Sequence, residues 1–562
     1  VQFVNKHNKL TTCIPKDYVF AVTVSFIVIL QSCNTIPESG EDKQVFRYNQ
    51  ASNITSLDPA FSRDQANIWA VHQMFNGLVQ LDSNLNIKPS IAKDWKISED
   101  GTTYTFYLRN DVMFHNHKLF QEKQDRYVTA QDFVYSFNRL LDPKVASPGA
   151  WVFNNVKQTD SGYAFKAIDD TTLQIELEEP FPPFLGVLTM KYCSVVPKEI
   201  VEEYKSEFRK NPVGTGPFYF KMWEEDIKLV MLKNPDYFEV DQSGQQLPYL
   251  DAVSVSFIID KQSVFMNFIK GDLDFLSGLD ASYKDELLTK NGTLNPKYKD
   301  DIKLLTQPYL NTEYLGFLVD DSLERVQNSP LRNKKVRQAI NYGFDRKKMM
   351  RYLRNNIGTP ALSGFVPEGL PSFDSSKVKG YHYNPQKARR LLKEAGYPNG
   401  EGMSPITLST TSSYLDLSKF IQHQLQDLGL EVEMNNVPPA TLREMIAQSK
   451  LNFFRGSWIA DYPDAENYLS LFYSANFCPT GPNYTHFANE EFDSLYEKAQ
   501  HITNDSIRFK LYRKMDKLVM EEAPVVVLYY DQVLRFVWKN IEGLGSNPLN
   551  LLTLKYVKKS PK

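Results

Sequence analysis

The chain has 562 residues, of which 42% are hydrophobic and 13% aromatic, and its 64 basic and 67 acidic side chains leave a formal net charge of −3. This composition excludes a disordered or collagen-like chain, and the near-neutral charge argues against a nucleic-acid-binding protein, which would carry a large basic excess. The four cysteines form no C-x-x-C pair, which excludes a disulfide scaffold and a zinc ribbon.

The first predicted element is a signal peptide over residues 1–32. Lysines precede a run of thirteen mostly apolar residues, 18–30, which is shorter than the roughly 20 residues that a membrane-spanning helix needs. The next residues, Gln31-Ser32-Cys33, complete a sequence that resembles a bacterial lipobox, so we expect Cys33 to become the lipidated N-terminus. An unlipidated signal peptide with an incidental Cys33 is the alternative. Residues 33–44 are rich in Pro, Ser, Gly and acids, which predicts a flexible tether.

Strands and helices then alternate along the mature chain. Strands are predicted where apolar residues alternate or run together, and helices where a capping residue precedes apolar residues at helical spacing. In chain order we predict strands 45–48 and 103–108, a helix from Thr129, strands 172–177, 229–232 and 250–257, a helix 333–354, a helix from Asn384 to Ala395, a helix 420–428, a strand 430–434, a helix from Asn489 and a strand 525–530. The basic side of helix 333–354 is expected to be a solvated surface, with partner docking as the alternative. The pattern predicts an α/β protein.

Catalytic motifs are missing from the sequence. It contains no G-x-x-x-x-G-K-[ST], no H-E-x-x-H and no G-x-S-x-G. An S-x-x-K match at Ser376–Lys379 falls in a Ser/Pro/Gly loop, where we interpret it as chance. His115 and His117 are only half of a metal site, and we expect them in a surface loop. The sequence therefore predicts no enzyme, no metal site and no cofactor.

Eight segments carry a family resemblance, and they occur in the family's own order. They are 92–114, 128–133, 212–218, 234–238, 271–275, 336–340, 391–397 and 458–464. Together they resemble the family 5 solute-binding proteins of ABC transporters, of the oligopeptide- and dipeptide-binding type.

The resemblance implies an α/β, two-lobed periplasmic-binding-protein fold with central β-sheets, an interlobe cleft and an extra subdomain on the N-terminal lobe. Lobe I would comprise 45–75, 200–310 and 530–562, the extra subdomain 76–199 and lobe II 311–529. Chain crossings near 310 and 530 would form the hinge, and closure would trap the ligand between the lobes.

The resemblance also implies three ligand-binding residues. Asp461 occupies the position of an Asp that pairs with the α-ammonium group of a peptide, and a carboxylate shut into a cleft is costly unless a cation joins it. Trp458 would line the pocket, and Arg455 would meet the ligand carboxylate. The alternatives are an Asp461 that caps a turn, a Trp458 packed in the core and an Arg455 in a surface ion pair.

Several positions depart from the oligopeptide binders. A pocket acid is replaced by Arg63, an aromatic near the extra subdomain by Gly149, and a pocket Trp by 437–439. The cysteine pair of some members falls on Asn311 and Ile459, so we expect no disulfide there. These departures leave open the length and the side chains of the peptide.

The function implied by the resemblance is an extracytoplasmic, lipid-anchored binding protein in the periplasm or on the surface of a bacterium. It would capture peptides and deliver them to the permease subunits of an ABC importer, whose ATPase is a separate subunit. We expect a monomer that binds no nucleic acid. The alternatives are the same fold with a nickel chelate, haem, an opine or an oligosaccharide as ligand, a secreted hydrolase, and an anchored adhesion or signalling protein.

Overall fold

The computed structural model describes residues 43–160, 162–280 and 282–561. The predicted signal peptide, Cys33 and nearly all of the predicted tether lie outside these residues. Within them, no helix combines the length and the apolar character that crossing a membrane would require.

Most predicted strands and helices are present, with ends that shift by a few residues. The strands are β1 (Val45–Asn49), β2 (Val79–Leu81), β3 (Ile87–Pro89), β4 (Ala92–Ile97), β5 (Thr103–Leu108), β6 (Gln158–Thr159), β7 (Gly162–Tyr163), β8 (Phe165–Asp169), β9 (Thr172–Glu176), β10 (Phe218–Glu224), β11 (Lys228–Lys233), β12 (Ala252–Ser256), β13 (Phe275–Ser277), β14 (Ile302–Phe317), β15 (Thr359–Pro360), β16 (Ile406–Thr410), β17 (Val432–Asn436), β18 (Phe453–Ile459), β19 (Val525–Trp538), β20 (Ile541–Glu542) and β21 (Lys558–Lys559). The α-helices are α1 (Gln65–Met74), α2 (Ala130–Leu141), α3 (Phe184–Val187), α4 (Lys198–Tyr204), α5 (Lys261–Lys270), α6 (Lys284–Leu287), α7 (Glu324–Gln327), α8 (Lys334–Tyr342), α9 (Arg346–Leu353), α10 (Pro385–Glu394), α11 (Leu415–Gln426), α12 (Pro439–Ala447), α13 (Glu466–Leu469), α14 (Glu490–Gln500) and α15 (Asp505–Glu522).

An 11-stranded mixed sheet forms the centre of the molecule. Its order is β10-β11-β12-β1-β13-β19-β14-β18-β16-β17, and β15 pairs with β19 beside this path. β1 lies parallel to β12, and its apolar residues Phe46 and Tyr48 are buried. The alternation that predicted this strand from the sequence therefore reflects one face packed into the core.

Two long antiparallel strands, β14 and β19, run through the middle of the sheet. Their pairing begins at Ile302 opposite Trp538 and shifts register between Pro308 and Thr312. Before the shift, where β14 runs from Ile302 to Pro308, its partner β19 also pairs with β13. After the shift, β14 itself also pairs with β18. The predicted chain crossings, near 310 and 530, coincide with this irregularity. The domain boundaries themselves stay a prediction.

A second, four-stranded antiparallel sheet of order β4-β5-β9-β8 packs against α2. The predicted cap of α2 is present, because the Thr129 amide donates to Asp132 Oδ2 at 2.8 Å. Phe137 projects from the helix into the core, where its ring centroid lies 4.7 Å from that of Phe153 and 5.3 Å from that of Phe165.

The unbroken helix predicted over 333–354 is wrong. The structure has two helices, α8 and α9, with Gly343 at the end of the first and Asp345 capping the second by accepting from the Lys348 amide at 3.0 Å. A short carboxylate at this position satisfies a free amide of a new helix, which favours a restart over continuation.

The basic side of these two helices is not simply a solvated surface, as two of its arginines are buried. Arg337 donates to the carbonyl oxygens of Glu522 and Ala523 at the end of α15, at 2.9 and 3.0 Å. Arg346 donates to the carbonyl oxygen of Val527 at 2.6 Å. Carbonyl groups at a helix end lack partners within the helix, so a buried guanidinium with five donors satisfies them.

His115 lies in a loop as predicted, and Asn116 beside it is exposed, but the surface position predicted for His115 is wrong. The imidazole is buried, donates from Nε2 to the Gly216 carbonyl oxygen at 2.9 Å and accepts at Nδ1 from the Gly214 amide at 3.3 Å. Burial lowers its pKa to about 4. Both ring nitrogens are occupied by backbone groups, so this histidine has a structural role.

Candidate functional site

The W-x-x-D-Y segment ends strand β18, and a buried asparagine organises its side chains. Trp458 Nε1 donates to Asn467 Oδ1 at 2.9 Å, and the Asp461 amide donates to the same oxygen at 3.2 Å. Asn467 Nδ2 in turn donates to Asp461 Oδ2 at 3.4 Å. Asn467 therefore fixes Trp458 and Asp461 relative to each other. Nothing in the sequence pattern set Asn467 apart.

The Asp461 carboxylate is electrostatically uncompensated. In the part of the chain that the structure describes, its hydrogen-bond partner is the Asn467 amide, and no lysine or arginine is paired with it. Asp461 is exposed by surface area, but protein atoms packed around its carboxylate displace part of its hydration. Burial raises its pKa to about 6, and the hydrogen bond from Asn467 only partly opposes this.

Tyr192, from the segment predicted as the extra subdomain, lies within range of the charge of Asp461. Burial raises the pKa of this phenol, the negative charge of Asp461 raises it further, and the positive charge of Arg63 lowers it. Tyr192 therefore lies within electrostatic range of a carboxylate and a guanidinium.

The Tyr192 ring also fills the space beside Gly149. A Cβ atom at Gly149 would lie 2.2 Å from Tyr192 Cδ1, so a larger residue at 149 would collide with the ring. The space next to Gly149 is thus filled by an aromatic side chain, but that side chain belongs to residue 192 and not to residue 149. No sequence pattern pointed to Tyr192.

The residues that follow Asp461 contact the segment 149–192. The ring centroid of Tyr462 lies 6.4 Å from that of Trp151, and Pro463 lies next to Gly186. The chain next to Asp461 therefore packs against the segment predicted as the extra subdomain.

Arg455 belongs to a different group of side chains. It forms an ion pair with the buried Glu313, and its guanidinium carbon lies 3.4 Å from the centroid of the Tyr414 ring. Tyr414 and Asn311 also donate to Glu313 Oε1, at 3.3 and 3.2 Å. The ion pair is thus buried and not on the surface, and a ligand carboxylate would have to share Arg455 with Glu313.

Two cavities lie near these groups. One of about 360 Å³ is bounded by Tyr309, Tyr414 and Arg354, close to the Arg455 group. A larger one of about 720 Å³ is lined by Pro463 and Arg508 but not by Asp461. We base the site on Asp461 because a carboxylate without a counter-charge indicates that the ligand is a cation. The volume of a cavity alone says nothing about the chemistry of its ligand.

Metal ligands do not cluster in the described ranges, where no group of three or more His, Cys, Asp or Glu side chains is arranged to hold an ion.

Comparison with known proteins decides the family. The sequence model of the bacterial extracellular solute-binding proteins, family 5 Middle, matches residues 86–477. The chain is a family 5 solute-binding protein. Heme-binding protein A of Haemophilus influenzae is 30% identical to this solute-binding protein over 492 residues, which is 85% of each chain. Dipeptide-binding protein DppE of Bacillus subtilis is 26% identical over 543 residues, 93% of each chain.

A solved structure with the same fold is the ABC transporter-associated periplasmic binding protein DppA from Helicobacter pylori in complex with peptide STSA. It superposes with a TM-score of 0.75 at 26% identity and covers 92% of this solute-binding protein and 99% of DppA. The predicted family and the predicted two-lobed α/β fold are confirmed. Members of the family are extracytoplasmic substrate-binding proteins of transport systems, so this solute-binding protein belongs to an ABC importer.

Proposed function

We propose that this solute-binding protein captures peptides through their free α-ammonium group and delivers them to the permease of an ABC importer. The observation that carries the proposal is the Asp461 carboxylate, which is held by Asn467, lies within electrostatic range of Tyr192 and is compensated by no cation of the described chain. A bound ammonium group would supply the missing charge.

Ligand binding would also stabilise the closed arrangement of the lobes. In the absence of ligand, closure removes water from Asp461 without providing a counter-charge, which is unfavourable. An ammonium group in the cleft removes that cost in the closed state alone. The equilibrium between open and closed states can shift by no more than this difference in affinity.

Two further groups are suited to the rest of the ligand. Trp458 would provide an apolar wall beside the ammonium site, and Arg455 would bind a carboxylate if Glu313 released part of its guanidinium. Arg63 is exposed and acts on the Tyr192 phenol with a charge opposite to that of Asp461. A short zwitterionic peptide lying along Tyr192 would therefore meet a complementary charge at each end.

We also propose that Cys33 carries a lipid that anchors the protein as a monomer in the periplasm or on the cell surface. The support is the lipobox-like sequence before Cys33 and the extracytoplasmic location of the family. The ATPase would be a separate subunit of the importer.

A second candidate ligand is haem, since a relative that is 30% identical over 85% of each chain bears the name Heme-binding protein A. Haem has carboxylates but no ammonium group. It would draw its affinity from Arg63 and from apolar contacts, and the charge of Asp461 would oppose it.

Binding of oligoalanines of two to five residues to the purified protein, each compared with its Nα-acetylated form, tests the proposal. Acetylation removes the ammonium charge and leaves the rest of the peptide unchanged. We expect saturable binding of the free peptides and at least tenfold weaker binding of the acetylated ones. Equal affinity for both forms, or binding of haem alone, would contradict the proposal.

A further inference from the structure

A cysteine, a histidine and an aspartate form a connected group in lobe II, apart from Asp461. Cys478 Sγ lies 3.3 Å from His486 Nε2, and His486 Nδ1 lies 3.0 Å from Asp320 Oδ2. Ser449 Oγ completes the group, which we call the thiol cluster, at 3.2 Å from the sulfur and 3.0 Å from Nε2. A base beside the thiol and an acid behind the base is the arrangement that activates a cysteine nucleophile.

The fold holds this geometry by several independent contacts. The His486 ring stacks on Phe477 with centroids 4.4 Å apart, and its backbone has a positive φ of 50°. The fully buried Asn483 donates to the carbonyl oxygens of Tyr473 and Phe487, which braces the loop between Cys478 and His486. The histidine is thus oriented by the loop and not only by the sulfur.

Charges in the thiol cluster favour an ionised sulfur. Burial tends to raise the pKa of Cys478, but hydrogen bonds from His486 and Ser449 outweigh it and hold that pKa below the ordinary value. The hydrogen bond to Cys478, followed by the one to Asp320, raises the pKa of His486 to about 9. Tyr484, the other titratable group that faces the sulfur, has its own pKa raised by burial and stays neutral. Both shifts favour transfer of the Cys478 proton to His486, which gives a thiolate beside an imidazolium.

The other described cysteine provides an internal contrast. Cys193 is a free, buried thiol like Cys478, but the hydrogen-bond acceptor near its sulfur is the Val187 carbonyl oxygen at 3.7 Å. Burial raises the pKa of Cys193. The two thiols thus share burial, but only Cys478 has a side chain hydrogen-bonded to its sulfur, whereas Lys191 acts on Cys193 through its charge and does not offset burial.

We propose that Cys478 is a site of thiol–disulfide exchange with small-molecule disulfides, activated by His486 and oriented by Asp320. The Cys478 thiolate attacks one sulfur of the disulfide, a new S–S bond forms and the original S–S bond breaks. The departing thiolate takes the proton of the His486 imidazolium, so the small disulfide is the only oxidant required. Disulfides are the expected thiol state outside the cytoplasm, where the family resides.

The sulfur of Cys478 lies just beneath the protein surface. Cys478 itself is buried, but the next two residues, Pro479 and Thr480, are exposed. Outward movement of this short segment would admit a small disulfide. The charges of both Cys478 and Asp461 raise the pKa of Tyr484, so this tyrosine lies within electrostatic range of the thiol cluster and of the proposed ammonium site.

The test uses full-length reduced protein and 2-hydroxyethyl disulfide at pH 6 and pH 8, with the adduct on each cysteine quantified by peptide mapping. We expect Cys478 to be modified in the folded protein, reversibly by dithiothreitol, with a rate that falls less than threefold from pH 8 to pH 6. An ordinary thiol with a pKa near 8.5 loses about tenfold per pH unit over this range. Cys193 should react only after unfolding in urea, when both cysteines should react alike.

Variants distinguish a Cys478 thiol that is activated by His486 from one that reacts only because it is accessible. His486→Gln should restore the steep pH dependence of an ordinary thiol at Cys478, and Asp320→Asn should give an intermediate profile. Ser449→Ala removes the lesser of the two hydrogen bonds that lower the Cys478 pKa, so it should steepen the profile less than His486→Gln does. The thermal midpoint of each variant reports whether it is folded. The proposal would be overturned if Cys478 stays unmodified in the folded protein, or if the wild-type and His486→Gln proteins share one pH profile.

Discussion

Replacement of Asp461 by asparagine keeps the size of the side chain and removes its charge. In the empty site the charged form is disfavoured, because burial raises the pKa from 3.8 to about 6. A shift of this size corresponds to about 3 kcal/mol, which we reduce to about 1–2 kcal/mol because Asp461 keeps contact with solvent. The attraction to a bound ammonium must exceed this amount. We therefore expect Asp461→Asn to weaken peptide binding by about 2–3 kcal/mol, or roughly 30- to 150-fold in Kd.

Calorimetry of oligoalanines against the wild-type protein, Asp461→Asn and the control Asp427→Asn measures this loss. Asp427 is an exposed residue of the segment predicted as lobe II, so its replacement controls for the change in net charge. Nα-acetylated peptides complete a thermodynamic cycle: they should bind the wild-type and Asp461→Asn proteins with equal affinity. An unchanged Kd in Asp461→Asn, or an equal loss for acetylated peptides, would refute the pairing of Asp461 with the ammonium group.

Three other outcomes are expected. Because Asp461 must be ionised and the peptide amine protonated, peptide affinity should be highest between about pH 7 and the α-ammonium pKa near 8, and should fall as the pH drops through 6. Calorimetry of Asp461→Asn should show no such fall at low pH. Cys33→Ser should release the protein from membranes, and sedimentation of a correctly processed variant with the membrane fraction would exclude the lipid anchor. Gly149→Phe should lower stability to urea by about 1–3 kcal/mol, since the new ring overlaps that of Tyr192. Adding Tyr192→Ala should restore most of the loss, and failure to do so would show that the two rings do not compete.

The sequence predicted correctly those elements that are determined by residues close together in the chain. The alternation in β5 and the Thr129–Asp132 cap each lie within a few residues of chain, and both are present. The prediction of one helix over 333–354 was wrong at Asp345, which caps a new helix. The apolar residues continue at helical spacing on both sides of Asp345, so their pattern did not show the break. The burial of the two arginines was missed because each of them also bonds a carbonyl group more than 180 residues away, which local sequence does not reveal.

The candidate site was predictable only in part. Asp461 and Trp458 belong to a recognisable motif, whereas Asn467 became relevant only through the turn that brings it back to both of them. Tyr192 comes from a distant segment and fills space that Gly149 leaves empty, and a single sequence carries no signal for such a compensation. Ion pairing between Arg455 and Glu313 likewise depends on the register of β14 and β18.

Native mass spectrometry of the purified protein, before and after mild denaturation, tests the central claim most directly. Closure around an ammonium group should retain ligand through purification. We expect a heterogeneous set of adducts of a few hundred daltons that fragment as peptides and are lost in Asp461→Asn. A single discrete adduct with a metal isotope pattern, such as haem, or adducts retained equally by Asp461→Asn, would contradict peptide capture at Asp461.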